Sequence, residues 1–142
     1  MVSQLNKGLA GARNSALWEA KTKYLAVLDS DDLLMPNTLL NLWVALELDR
    51  DLVATAGFHA DFRNFDDVNN ISLYSIADNV WKPLGTNLGR ALSLHSNQNL
   101  SANCMVRVDV VRKVKGWDDR DKATWEDWAF YNKLSWLGYK FT

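Results

Sequence analysis

The stretch YLAVLDSDDLLMP, residues 24–36, decides how this chain is read. Its apolar opening is too short for a helix and ends in turn residues, so 24–28 reads as a buried strand. The strand stops abruptly at Asp29, Ser30, Asp31 and Asp32. Three carboxylates in four positions repel one another unless something offsets them. Asp29 and Asp31, two positions apart where the chain leaves the strand, could both reach one oxygen-preferring cation, and through it a phosphate-bearing ligand. The same residues could also be an acidic turn that favours the start of the next helix.

Working outward, helical periodicity over 9–20 puts Leu9, Ala12, Ala16 and Ala20 near one face, with Leu17 beside it and Asn6 as the cap. Downstream, Pro36 suits a first helical turn, and Leu39, Leu42, Trp43 and Leu46 supply an apolar stripe. Residues 52–58 read as the next strand. Helix, strand, helix, strand within some fifty residues predicts α/β units and a parallel sheet. The middle is polar and turn-rich, with ISLY (71–74) a candidate strand and loops over 77–100. Order returns with a strand over 103–107, then a short helix that carries Val110, Val111 and Val114 and is stopped by Gly116. A last helix runs from Thr124 to Gly138, and the tail allows only a short strand.

The bulk composition narrows the function. The 142 residues are 48% hydrophobic and 23% charged, enough for one core, so 1–142 reads as a single domain. Sixteen basic residues against seventeen acidic ones give a net charge of −1. No basic stripe interleaved with aromatics suits nucleic acid. Cys104 is the only cysteine, so no internal disulfide forms, and a zinc site would have to take its other ligands from other residue types. His59 and His95 share no ligand spacing with it. No run approaches the length of a transmembrane helix, and the N-terminal residues do not resemble a signal peptide. These features fit a cytoplasmic protein, free or at the inner face of a membrane. Phosphate loops and nucleophile elbows are absent as motifs.

A second acidic pair, Glu126–Asp127, lies between Trp125 and Trp128. Thr124 followed three residues later by Asp127 resembles a capping box. Alternatively, either carboxylate could sit in a partly apolar groove and serve as a general base. Most of the seven tryptophans read as core or groove walls.

Taken in order, NKGLAGARNSALWEA (6–20), YLAVLDSDDLLMP (24–36), SANCMVRVDVVRKVKGWDD (101–119) and WEDWAFYNKLSWLGYK (125–140) resemble the family 2 glycosyltransferases. That resemblance implies a GT-A fold, an α/β Rossmann-like sheet flanked by helices. It implies Asp31 as direct ligand of Mn2+ or Mg2+, with Asp29 in the metal or ribose shell and Arg13 anchoring the acidic turn or serving structurally. Asp127 corresponds to the catalytic base, with Glu126 its acidic neighbour, and Trp125, Trp128 and Trp117 to the floor of an acceptor groove. Lys133 stands where many members have Arg, a change that keeps the charge and loses the guanidinium's fork.

The implied reaction is metal-dependent, inverting transfer from a nucleotide-sugar, a UDP-sugar by default. The acceptor hydroxyl would belong to a growing polysaccharide, a lipid-linked saccharide or a protein. The family pattern also begins with further β-α units that are not in this sequence. The expectation is therefore a partial GT-A sheet whose exposed edge could be covered by a second copy in a homo-oligomer. The competing expectation is a non-catalytic module with weak diphosphate and metal binding or an assembly role.

Overall fold

The computed structural model describes residues 1–57, 59–60, 80–81, 103–120 and 125–142. Helix α1 (Gly8–Glu19) leads into strand β1 (Tyr24–Ala26), and α2 (Thr38–Leu48) leads into β2 (Leu52–Ala56). A two-stranded antiparallel ribbon of β3 (His59–Ala60) and β4 (Val80–Trp81) follows. Then come β5 (Cys104–Arg107), α3 (Val108–Lys113), α4 (Glu126–Trp136) and β6 (Lys140–Phe141). ISLY, the loops over 77–100 except Val80–Trp81, His95 and Thr124 lie outside the described residues.

The main sheet has the order β1-β5-β2-β6. It is mixed, not parallel: β5 runs antiparallel to both β1 and β2, and only β2 and β6 are parallel. Strands β1 and β2 do share a direction, as expected of successive α/β units. The strand that separates them comes from much later in the chain. Val27 N–H continues the β1–β5 ladder by donating to the Cys104 carbonyl at 2.8 Å, which carries the pairing to the lip of the acidic turn.

Every residue of β5 is buried, as both faces of a central strand require. Cys104 and Val106 join Leu17, Val53, Val111, Trp117, Phe130, Tyr131, Leu134 and Phe141 on the face covered by α1, α3 and α4. Met105 joins Leu42 and Leu46 of α2 in a separate cluster, with Tyr24 and Leu52 against it. The alternation along β5 thus assigns each helix to one side of the sheet.

Two arginines fix the helix ends to this strand and its successor. Helix C-termini leave carbonyls unpaired and carry partial negative charge, which a guanidinium can satisfy. Arg107 donates from Nε to the Leu52 carbonyl at 2.7 Å and from Nη1 to the Tyr24 hydroxyl at 3.0 Å, with Nη2 on the Leu46 carbonyl. Arg112 Nη2 reaches the Leu17 carbonyl at 2.8 Å and that of Ala20 at 2.6 Å at the end of α1.

Helix α1 turns a different face inward from the one its alanines suggest. Ala10, Gly11, Arg13, Asn14 and Leu17 are buried, while Leu9 is 59% exposed and Ala12 and Ala16 face outward. The polar pair turns inward because buried partners await it. Asn14 clamps the loop after α3: its Nδ2 donates to the Trp117 carbonyl at 2.8 Å and its Oδ1 accepts the Trp117 N–H at 2.9 Å. In α2 only Leu42 and Leu46 are buried. Leu39 and Trp43 remain 45% and 44% exposed, so the inward stripe is narrower than the sequence suggests. The helix begins two residues after Pro36, which instead lies in the turn closed by Thr38 N–H on the Met35 carbonyl at 3.1 Å.

The expected stop at Gly116 is present, with φ of +64° and its N–H on the Val111 carbonyl at 2.9 Å. A Cβ there would lie 2.2 Å from Asn14 Oδ1. Asn14→Ala removes both halves of the clamp from a buried peptide and is expected to cost about 2 kcal/mol of stability. Gly116→Ala should cost at least as much, both being measured by chemical denaturation.

Burial pushes the Cys104 thiol up from its ordinary 9.0 to about 11, and a hydrogen bond with Tyr131 offsets part of that rise. Above pH 9 the unfolded thiol loses its proton while the folded one keeps it, so ionisation favours unfolding. Stability should therefore fall between pH 9 and 11 by up to about 1.4 kcal/mol per unit from this group. Denaturation midpoints in that window should decline less steeply for Cys104→Ala than for the parent chain.

Candidate functional site

The acidic turn of residues 29–32 opens at the end of β1 and is tied from two sides. Asp32 N–H donates to the Asp29 carbonyl at 3.2 Å, which closes the turn. Asn103, immediately before β5, accepts the Asp29 N–H on Oδ1 at 2.9 Å and donates from Nδ2 to Asp32 Oδ2. Because β5 runs antiparallel to β1, its first residues lie beside the last ones of β1. Sequence reading assigned Asn103 no role. The available signal was an amide at the start of a strand that pairs with the strand ending in the acids, and only the pairing gives it meaning.

The third support comes from α1. Arg13 is buried, with 8% of its side chain exposed, and its guanidinium spans two carboxylates. Nη2 donates to Asp29 Oδ1 at 2.9 Å, and Nη1 donates to Glu126 Oε1 at 2.6 Å. These partners lie 16 and 113 residues away in sequence. Glu126, 9% exposed, opens α4, so one planar fork brings the strand-end turn and the first turn of α4 together. Burial works against the guanidinium's charge, and the hydrogen bonds and charges of Asp29 and Glu126 more than offset it, leaving the Arg13 pKa raised. Removing one member of such a buried ion pair typically costs about 3–5 kcal/mol, because the other is left unpaired.

The acids around this bridge are not equivalent. Asp29 and Glu126 are engaged by Arg13, and Asp32 by Asn103. Asp31 is exposed and makes no side-chain hydrogen bond among the described residues. Asp127 is half-buried, and its Oδ1 accepts the N–H of Trp128 at 2.7 Å.

The capping box expected at the start of α4 rests on a residue outside the described ones. Trp125 occupies the capping position with φ of +80° and no side-chain cap bond, and Thr124 lies outside the described residues. A left-handed backbone at a bulky residue costs about 1–3 kcal/mol and persists only where surrounding contacts enforce it.

The tryptophans separate as well. Trp125 is 63% exposed and meets half-buried Trp128 edge-to-face, with ring centroids 6.2 Å apart. Trp117 is not on that surface: it is 3% exposed and stacks on Phe130 at 4.6 Å, inside the core. Lys133 turns to the same region, donating from Nζ to the Gly116 carbonyl beside a cavity of about 490 Å³ lined by Trp117, Asp118, Arg120 and Phe130. Burial lowers its pKa, only partly countered by Asp118. Lys133 therefore closes the loop after α3.

Among the described residues no group of three or more His, Cys, Asp and Glu side chains gathers as a ready metal cage. Magnesium-type sites on phosphate ligands commonly need only one or two protein carboxylates, with the remaining positions filled by phosphate oxygens and water. Asp31, and the Asp29 oxygen that Arg13 leaves unbound, match that donor set.

The chain matches the model of the family described as Glycosyl transferase family 2 over residues 2–115. The matched span contains Arg13, Asp29 and Asp31 and stops before Glu126 and Asp127. Comparison with curated proteins gave no match. No described helix is long and apolar enough to cross a membrane. With the family model covering most of the chain, and with a mixed sheet flanked by helices of the partial GT-A kind, this protein belongs to glycosyl transferase family 2.

Proposed function

We propose that this chain is a metal-dependent, inverting glycosyltransferase that uses a nucleotide-sugar donor, by preference a UDP-sugar. The observation that carries the reading is the Arg13 bridge, which joins the turn bearing Asp29 and Asp31 to the helix that begins Glu126–Asp127. Asp29 and Glu126 share one buried guanidinium, and Asp31, Asp32 and Asp127 are their neighbours in sequence, so these two segments together carry an excess of negative charge. Such an excess favours a divalent cation and, through it, a diphosphate.

In this reading Asp31, with Asp29 beside it, holds Mn2+ or Mg2+. When bound, the cation neutralises the developing charge on the leaving nucleoside diphosphate. Asp127 receives the proton of the acceptor hydroxyl while that oxygen attacks the anomeric carbon opposite the nucleotide, and the configuration inverts. General-base assistance of this kind contributes typically about 10²–10⁴ in rate. The exposed ring of Trp125, with Trp128 at its edge, offers an apolar wall for a saccharide acceptor.

Calorimetric titration of UDP, with and without Mn2+, tests the donor end on the intact chain and on Asp31→Ala. Binding is expected only with metal, and about tenfold weaker or worse in the variant. Binding indifferent to both changes would sink the metal-diphosphate role, and no binding in any condition would favour a non-catalytic module. For the chemistry, Asp127→Asn should reduce turnover by about 10²–10⁴ while leaving the Kd for UDP and Mn2+ nearly unchanged.

A further inference from the structure

We propose that Arg13 and Glu126 are positioning residues that couple donor occupancy to the acceptor side, so that binding of a metal–nucleoside diphosphate at the acidic turn orders the first turn of α4 and with it Asp127. The inference rests on the donor reading above and adds to it a physical link from the acidic turn to the first turn of α4. Two adjacent acids in one helical turn invite the idea that either could take the proton. Their surroundings differ. Glu126 is 9% exposed and held at 2.6 Å by a buried guanidinium, which leaves it badly placed to meet an incoming hydroxyl. Asp127 is half-buried and bonded to the N–H of its own helix.

The coupling follows from the geometry of the fork. Guanidinium nitrogens are fixed in one plane, so Arg13 cannot shift its contact with Asp29 without also turning the nitrogen that holds Glu126. A cation and diphosphate at Asp29 and Asp31 would draw on the same carboxylate that Arg13 shares at 2.9 Å. The change passes to Glu126 through one side chain.

At the receiving end, the helix starts under strain. Trp125 is held at φ +80° with no side-chain cap bond, and the next residue is Glu126. A first turn that opens on left-handed backbone depends on outside contacts to stay formed, and the ion pair from Glu126 to Arg13 is one of them. Asp127 is the next residue of that turn, so a shift of Glu126 carries its backbone along.

Hydrogen–deuterium exchange on the intact chain with UDP and Mn2+ tests this directly. In the parent chain the ligand pair is expected to slow exchange in the peptide spanning 125–136 by about fivefold or more. In Arg13→Gln, UDP and Mn2+ should still bind within about tenfold of the parent affinity, yet protection of that peptide should fall below about twofold. Glu126→Gln keeps an oxygen acceptor for the guanidinium and should retain most of the protection, whereas Glu126→Leu removes the acceptor and should lose it.

The two glutamate variants also answer the question if Arg13→Gln proves unfolded by circular dichroism. Full protection in Glu126→Leu, or in a folded and ligand-bound Arg13→Gln, would overturn the coupling. So would a parent chain that binds UDP and Mn2+ without protecting 125–136, and in that case the donor reading stands. If the parent binds no UDP at all, the donor reading falls first and the coupling falls with it.

Discussion

A single buried guanidinium sets the terms for the rest of this structure. A charge held in the interior must be paired, and Arg13 finds its partners on two elements that approach each other only in the folded state. The consequence runs both ways along the chain. Helix α1 must present its polar residues inward, β1 must end where Asp29 can be reached, and α4 must begin where Glu126 can be reached. Each of these placements is paid for by the other two.

The scaffold around this point uses the same device repeatedly. Arg107 and Arg112, from β5 and from the helix that follows it, bind carbonyls at the ends of α2 and α1. Asn14 clamps both polar groups of the Trp117 peptide, and Asn103 bonds both the backbone and a carboxylate of the acidic turn. Apolar burial holds the helices against the sheet without fixing their position along it, since it is non-directional. The hydrogen bonds supply direction, and most of them radiate from the central strand and its immediate neighbours. Registration of the acidic turn against the start of α4 therefore depends on polar side chains that composition alone would assign to the surface.

The aromatic residues show a related division. Trp117 fills the core against Phe130, and Trp125, with its ring exposed, sits at the strained start of α4. Four tryptophans in the described residues, Trp18, Trp43, Trp125 and Trp136, are more than 40% exposed, so abundance of this residue does not translate into core volume. What separates buried from exposed rings is which side of its element each occupies, and for Trp117 that side is fixed by the Asn14 clamp on its backbone.

Features governed by local chemistry were legible in the sequence. The strand that breaks into the acidic turn, the glycine stop at 116, the short closing strand and the helix-strand alternation up to β2 follow from neighbours a few residues apart, whereas the β3–β4 ribbon and the exposure of β1 do not. The resemblance their motifs carry singles out Arg13, Asp29, Asp31, Glu126 and Asp127, and the structure joins Arg13, Asp29 and Glu126 among them. Three matters were decided only in three dimensions. Strand β5 enters the sheet antiparallel between β1 and β2, a pairing that no spacing within β1 or β2 encodes. Helix α1 turns away from its alanine face because Arg13 and Asn14 gain buried partners more than a hundred residues distant, which outweighs the small cost of leaving alanines in water. And Glu126 and Asp127, equal as neighbours in the sequence, become unequal because a helix turns adjacent residues about 100° apart, so that one meets the guanidinium and the other does not.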